Sequence, residues 1–551
     1  MEKEQRSFES LLARFQPLLS VLLYLALTGY FYSFSQYGFN IWDEGGFANG
    51  TLRTLNGQKA LEDFNPNGYL PGRYLYGALF FKLFGVDIQS LRLSVILLTP
   101  GMIFMVYAMA RRIMPQGFAF LAALCMLSAP SMYYNRFFPF FTLLTLYCLL
   151  NVLEKKRSVD FLLLGGSVLL AGYFKFEIAL IALVIAVPLI GVIAFQRKEK
   201  FYLKKTGESS QSQKPSLIFW MSAVFLAVAF SSTLWYFLQN NFFSKVFKLV
   251  VDAHNVWGNP FPKLFPFGTL YDQLGPHKMF ERLLFYLPLW VYGAVGIILL
   301  LRFLRTKQDT STTDMALLII LSFGVCVFGL VIWRAGFDNL LRTLPPFYIL
   351  FCYLLYLGHK KFLSLVRPLE PSSQVAALLQ KLPVNVLAVA LPFLFIYEMN
   401  VHHGFYAGSI GAKKHETQLI SLDRLRVYTH PSEAKWLEEV VDRIEIYSDK
   451  GDPILALPLN PVFYFLTDRI NPTRYDWILP GMLTADEEKG MVEQLSKNPP
   501  RMVIFVDIPI DGKEERRLAN YAPQLYDFLV ENYQFDEMIG LFQILLPKRQ
   551  E

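Results

Sequence analysis

Asn40-Ile41-Trp42-Asp43-Glu44-Gly45-Gly46-Phe47 comes just after residues 16–37, the first stretch apolar and long enough to cross a bilayer. Adjacent carboxylates at that depth are costly near hydrocarbon, where acids usually mark a functional site. The pair therefore reads as one corner of a membrane enzyme's active site. Two readings of Asp43 stay open on chemistry alone. A carboxylate in a partly desolvated pocket has a raised pKa and can take a proton from a hydroxyl. Alternatively, Asp43 caps a helix at the interface and Glu44 is merely solvated.

The rest of the chain bears on that choice. Of its 551 residues 54% are hydrophobic and only 18% are charged, against roughly a quarter charged in soluble domains. The fold class is a multi-pass α-helical membrane protein. Lys and Arg cluster between apolar runs, so the net charge of +7 reflects loops rather than nucleic-acid binding. Cys125, Cys148, Cys326 and Cys352 all fall in apolar runs and read as small buried hydrophobes, with no disulfide framework in the polar C-terminal third. Met1–Arg14 is polar and precedes a long span with no small-residue cleavage site, which describes an uncleaved anchor.

About eleven spans are expected, at 16–37, 92–110, 117–132, 138–153, 159–174, 177–195, 217–238, 284–301, 315–333, 343–358 and 383–399. Arg111-Arg112, Lys155-Lys156-Arg157, the run from Arg197 to Lys205, Arg302 to Lys307, and Lys360-Lys361 with Arg367 occupy every second loop. Those loops are expected to be cytoplasmic, with the N-terminus. The outer face then receives 38–91, the turns near 134 and 175, 239–283, 334–342 and everything after 400. Residues 72–84 are too short to cross and carry a cation at each end, so they are placed as a helix in the outer interface. Residues 1–400 form the membrane domain. Beyond them, amphipathic stretches (Ser432–Ile444, Asp486–Lys497, Leu518–Glu531) alternate with apolar runs (Ile454–Leu457, Met502–Val506, Leu541–Leu546), predicting an extracytoplasmic α/β domain within 401–551.

Motifs for soluble nucleotides are missing, as is the His-Glu-x-x-His zinc signature, so any activated substrate arrives through the lipid. His402 and His403 are adjacent, which sends their side chains apart, and they read as a surface pair. His254 and His277 read as surface or packing histidines. In the first outer loop, Gly and Asn permit tight turns and close approach to a ligand, and Arg73 and Lys82 suit a lipid phosphate.

The arrangement resembles the GT-C class of membrane glycosyltransferases, which includes protein O-mannosyltransferases and bacterial lipid A aminoarabinose transferases. The resemblance rests on Trp42-Asp43-Glu44, Pro71-Gly72-Arg73-Tyr74 through Lys82-Leu83-Phe84-Gly85, Arg92-Leu93, and Ser128-Ala129-Pro130-Ser131-Met132-Tyr133-Tyr134-Asn135-Arg136-Phe137. Lys175-Phe176-Glu177, Arg342-Thr343-Leu344-Pro345-Pro346, Tyr464 to Arg469 and Asn471 to Asp476 resemble later landmarks. It implies residence in a bacterial inner membrane and transfer of one sugar from a polyprenyl phosphate, usually with inversion, to a lipid, glycan or protein acceptor.

In that scheme Asp43 is the general base, and Glu44 positions it or holds a cation. Arg73, with Lys82, Arg136 or Lys175, stabilises the departing phosphate. Many relatives carry an acid shortly after the second-loop Arg, whereas Arg136 is followed by Phe137-Phe138-Pro139-Phe140. Glu177 could supply it, or could pair with Lys175 as an interfacial ion pair. Trp257 or Tyr271 could stack on sugar from the long loop 239–283, which otherwise reads as an interface helix and aromatic belt. Arg342 could reach the donor or merely anchor its span. Asp43 and Glu44 could hold a divalent cation, although two oxygen ligands are too few to specify one. A flippase for a lipid-linked sugar is the alternative, but its charges would sit nearer mid-membrane and in repeated halves. A binding scaffold would not need the acid–Arg cluster.

Overall fold

The computed structural model describes residues 2–66, 69–128, 132–205, 231, 261–262, 271–305, 311–333, 335–366, 386, 389–390, 393–402 and 410–548. Trp257, His254, His403, the span at 217–238 and nearly all of the loop 239–270 lie outside the described residues.

The chain is a multi-pass helical membrane protein. Its helices are α1 (Glu2–Tyr32), α2 (Asp43–Leu55), α3 (Pro71–Phe84), α4 (Ile88–Ile96), α5 (Leu98–Ala110), α6 (Gln116–Ser128), α7 (Phe137–Lys155), α8 (Ser158–Phe174), α9 (Phe176–Lys205), α10 (Tyr271–Arg305), α11 (Thr312–Trp333), α12 (Phe337–Leu341) and α13 (Pro345–Val366). Among the described residues, four helical stretches are long and apolar enough to cross a bilayer: Ile88–Ala110, Tyr133–Lys155, Gly275–Arg305 and Thr312–Ile332. Pro17–Tyr32, Gln116–Leu127, Ser158–Phe174 and Phe176–Gly191 are shorter apolar helices. Leu18, Leu22, Leu25, Val184, Val187, Phe303 and Leu304 are exposed on them, as lipid-facing side chains are. Proline falls within α1 (Pro17), α9 (Pro188) and α10 (Pro276 and Pro288).

Two short helices between spans position the site. Helix α3 begins on Pro71, whose ring presets φ and whose missing N–H costs nothing at that position. Its Arg73, Tyr74, Gly77, Phe80 and Phe81 face inward, while Leu75, Leu79 and Leu83, one turn apart, form an exposed apolar stripe. Helix α2 is buried along Glu44–Leu52 and packs on α3.

The C-terminal region contains α14 (Pro431–Tyr447), α15 (Val462–Thr467), α16 (Ala485–Lys497) and α17 (Pro523–Asn532). Its strands are β1 (Gln418–Leu422), β2 (Leu425–Thr429), β3 (Leu455–Leu457), β4 (Val503–Phe505), β5 (Tyr533–Ile539) and β6 (Phe542–Pro547). The sheet order is β3-β4-β6-β5, with β3 parallel to β4 and the β5–β6 hairpin antiparallel beside them. Hairpin β1–β2 was not expected from the sequence, and neither was β5. Strand β5 buries only its two ends and β1 only its middle residue, while β2 alternates over just five residues, so pairing across a turn stabilises them instead.

Hairpin β1–β2 grips the membrane part through backbone bonds: Gly38 N–H donates to Tyr428 O (2.9 Å), Tyr428 N–H to Gln36 O (2.6 Å), and Ile88 N–H to Arg424 O (3.0 Å). One hydrophobic core runs continuously from Phe47 and Phe81 into Val462–Phe465. Cys125, Cys148 and Cys352 are buried as expected, but Cys326 is exposed on α11. This corrects its reading as a core residue, because one side of a lipid-facing helix needs no protein neighbour.

Candidate active site

The start of α2 is built by Asn40. Its Oδ1 accepts from Trp42 N (3.1 Å) and Asp43 N (2.8 Å), and its carbonyl accepts from Glu44 N (3.1 Å). Asn40 thereby takes the capping role that competed with chemistry for Asp43, and the Asp43 side chain projects from the first turn. The Tyr134 hydroxyl hydrogen-bonds its carboxylate. Asp43 also lies close enough to Tyr69 and Lys175 to act on their charge, and Arg342 acts on the same two groups.

Facing Asp43 is a group of cations gathered round one ring. The Arg73 guanidinium lies 3.7 Å from the Tyr69 ring centroid and 4.2 Å from that of Phe47, and Lys175 Nζ lies 3.9 Å from that of Tyr69. The Tyr69 hydroxyl in turn donates to Asn135 Oδ1 (3.4 Å). Arg73 is 2% exposed, and its Nε and Nη1 have no hydrogen-bond partner among the described residues. Arg342 sits over Phe138 (4.9 Å) with its Nε also buried and unpartnered.

Lys175, in the turn between α8 and α9, is pushed down to about 8. Burial is the main cause; Glu177 opposes it, and Arg342 and Arg73 add to it. Like charges packed this closely with orphaned N–H groups are costly unless an anion joins them. The arrangement can bind a phosphate.

Glu44 is elsewhere. It is 3% exposed and clamped bidentately by Arg92, with Nε to Oε1 at 2.5 Å and Nη2 to Oε2 at 2.7 Å. Arg92 also donates to Gly38 O (2.6 Å) and Ser35 O, so the pair ties the end of α1, the start of α2 and α4 together. Arg136, fully buried, bonds Thr99 Oγ1 (3.0 Å) and lies over Tyr133 (4.3 Å) beside this pair. It is therefore grouped with Glu44 and Arg92 rather than with Arg73.

Three of the residues expected at the site lie apart from the Arg73 group. Both Glu44 oxygens are committed to Arg92, so Asp43 and Glu44 do not offer a joint cation site. Arg136 packs among helices behind α2. Lys82 is exposed at the far end of α3, nine residues or about 13 Å of helix from Arg73. Glu177 is near Lys175, and its Oε2 is buried without a partner among the described residues.

Tyr69, Tyr134, Asp338 and Trp477 were not singled out by sequence reasoning. Asp338, on α12, lies close enough to Tyr134 to act on its charge. Trp477 comes from the C-terminal region. A Cβ at Gly46 would stand 2.8 Å from Trp477 Cζ2, and one at Gly45 2.7 Å from Val462 Cβ, so two glycines let that region close on α2. Gly46 lies one turn below Asp43, and the buried Trp477 Nε1 has no partner among the described residues. The Arg53–Asp476 ion pair (2.6 Å) and Asn65 N–H donating to Arg474 O (2.7 Å) hold the same contact. Only the adjacency of Gly45 and Gly46 signalled a close approach in advance.

Residues 71–207 match the family described as dolichyl-phosphate-mannose-protein mannosyltransferase. The structure is similar to that of ArnT from Cupriavidus metallidurans in the apo state, at 13% identity and TM-score 0.51, covering 95% of this chain and 97% of that one. It is similar to the same protein bound to undecaprenyl phosphate, at 14% identity and TM-score 0.50, covering 96% and 98%. No curated protein sequence matches the chain. The fold is that of the GT-C membrane glycosyltransferases, as the resemblance implied.

Proposed function

We propose that this GT-C-fold protein is a glycosyltransferase that moves one sugar, a hexose or pentose, from a polyprenyl-phosphate donor to an acceptor hydroxyl, with inversion, on the outer face of the membrane. The observation that carries the reading is the buried, partly unpartnered cation group of Arg73, Lys175 and Arg342 facing Asp43. That the similar ArnT binds undecaprenyl phosphate supports a polyprenyl carrier for the donor.

Asp43, oriented by Tyr134, accepts the proton of the acceptor hydroxyl as its oxygen attacks the anomeric carbon. The bond from that carbon to the phosphate oxygen breaks on the opposite face, which inverts the centre. The electron pair leaves with the phosphate, which gains charge. Cations already fixed there stabilise that change without reorganising. Glu44, Arg92 and Arg136 act as positioning residues that hold the start of α2. Trp477 offers a flat face and an N–H beside the site, as a sugar requires.

The test is transfer by the purified protein in detergent from a panel of labelled polyprenyl-phosphate sugars, with added lipid, glycan and peptide acceptors. Release of the polyprenyl phosphate with transfer to an acceptor supports the proposal. Movement of the lipid-linked sugar across liposomes without transfer would instead identify a flippase.

A pH profile provides a second check. Lys175 keeps its charge below about 8 in the free protein and loses it above. Donor KM should therefore rise as pH climbs past that value, while a bound phosphate, by raising the ammonium pKa, moves the corresponding limb of kcat to higher pH. Lys175→Arg, which stays charged, should flatten the rise in KM. An unchanged alkaline limb in that variant would remove Lys175 from the phosphate site.

A further inference from the structure

We propose that His277, Glu398 and His402 form a zinc-type cation site where α10 meets the helical residues 393–402. It involves none of the residues around Asp43 and does not depend on the glycosyltransferase reading. Each residue offers one ligand atom, and these atoms all lie within 4.8 Å of one another. His277 Nδ1 is 2.9 Å from Glu398 Oε2, and the His277 and His402 rings are stacked with centroids 3.5 Å apart. Although His402 and His403 are neighbours in sequence, the relevant partner of His402 is Glu398. The two are four residues apart, so they share one helix face and can converge on one ion.

The frame around them is fixed. Gly275 (φ +70°) breaks α10, Pro276 restarts it, and His277 falls in the first turn after the break. Phe280 packs on Phe395 (6.0 Å), holding the two helices together one turn further in. On the other side, Gly411 N–H donates to Asn400 O (2.8 Å), where the chain enters the C-terminal region. An ion here would clasp the outer end of α10 to the last membrane helix at that entry point.

Ligand chemistry selects the metal. Two imidazoles and a carboxylate suit Zn²⁺, whereas Ca²⁺ and Mg²⁺ demand oxygen ligands. Tetrahedral coordination brings donor atoms to roughly 3.3 Å from one another at bond lengths near 2 Å. The ligand atoms, already within 4.8 Å of one another, would close to that spacing as the stacked rings splay around the ion. Three protein ligands leave the fourth position to water. His277 is 45% exposed at its side chain and Glu398 23%, so an ion can enter from solvent.

The full-length protein, stripped with chelator in detergent, is titrated with Zn²⁺ by calorimetry and with Co²⁺ by absorption spectroscopy. One equivalent should bind, with tetrahedral Co²⁺ bands displaced by Zn²⁺, and Zn²⁺ should raise the melting temperature by mass action. His402→Ala and His277→Gln should each weaken Zn²⁺ by at least about tenfold and abolish the Co²⁺ bands. Retained melting without metal shows that these variants fold. Undiminished stoichiometric binding in the His277→Gln/His402→Ala double variant would overturn the proposal, as would octahedral Co²⁺ spectra or no binding to the wild-type protein.

Discussion

Asp43→Asn is expected to lower kcat for sugar transfer by about 10²- to 10⁴-fold, the usual contribution of a positioned general base. That is about 2.7–5.5 kcal/mol of barrier. The amide keeps the volume and can still accept from Tyr134, so the pocket is preserved and only the proton acceptor is lost. Stability should barely change. Asn40 already supplies the cap of α2, leaving Asp43 only its favourable place at the helix N-terminus, about 0.3–1 kcal/mol. Donor KM should also change little, because the phosphate is held by Arg73, Lys175 and Arg342 rather than by the acid. Turnover and melting temperature on one preparation decide the matter: a folded variant with wild-type kcat would remove Asp43 from the chemistry.

Glu44→Gln is expected to do the reverse, lowering stability by about 3–5 kcal/mol because it leaves the Arg92 guanidinium charged and uncompensated in a dry interior. Arg92→Met should cost a similar amount by stranding the carboxylate. The Glu44→Leu/Arg92→Met double variant should be far less unstable than the two single effects summed, since replacing a buried pair by apolar groups can be nearly neutral. Thermal or denaturant unfolding in detergent around this cycle gives the coupling. A catalytic Glu44 would show a different signature: turnover lost in Glu44→Gln with the melting temperature intact. The adjacent acids are thus expected to separate cleanly, one into rate and the other into folding.

The two cation groups explain why the sequence divided them imperfectly. Arg73, Arg92 and Arg136 are all arginines close to the ends of apolar spans, and that proximity is all that their positions in the chain convey. Helix rotation sends Arg73 toward Tyr69 and Arg92 toward Glu44, 48 residues away, and Arg136 packs behind that pair. Lys82 shares a helix with Arg73, but about 13 Å of rise separates their roles.

Hydropathy determined most of the architecture, because the cost of burying a chain in lipid adds up residue by residue along it and needs no partner. The apolar runs at 138–153, 159–174, 284–301 and 315–333 each lie on a helix and that at 92–110 runs over α4 and α5, while the two acids beside the first span drew attention to Asp43 as the proposed base. The mixed sheet, the β1–β2 grip on the first loop, the approach of Trp477 to Gly46 and the convergence of His277, Glu398 and His402 were decided only by tertiary structure. Each depends on side chains brought together from distant parts of the chain. Their free energy lies in pair geometry, which falls off within a few ångströms and leaves no periodic trace in the residues that make it.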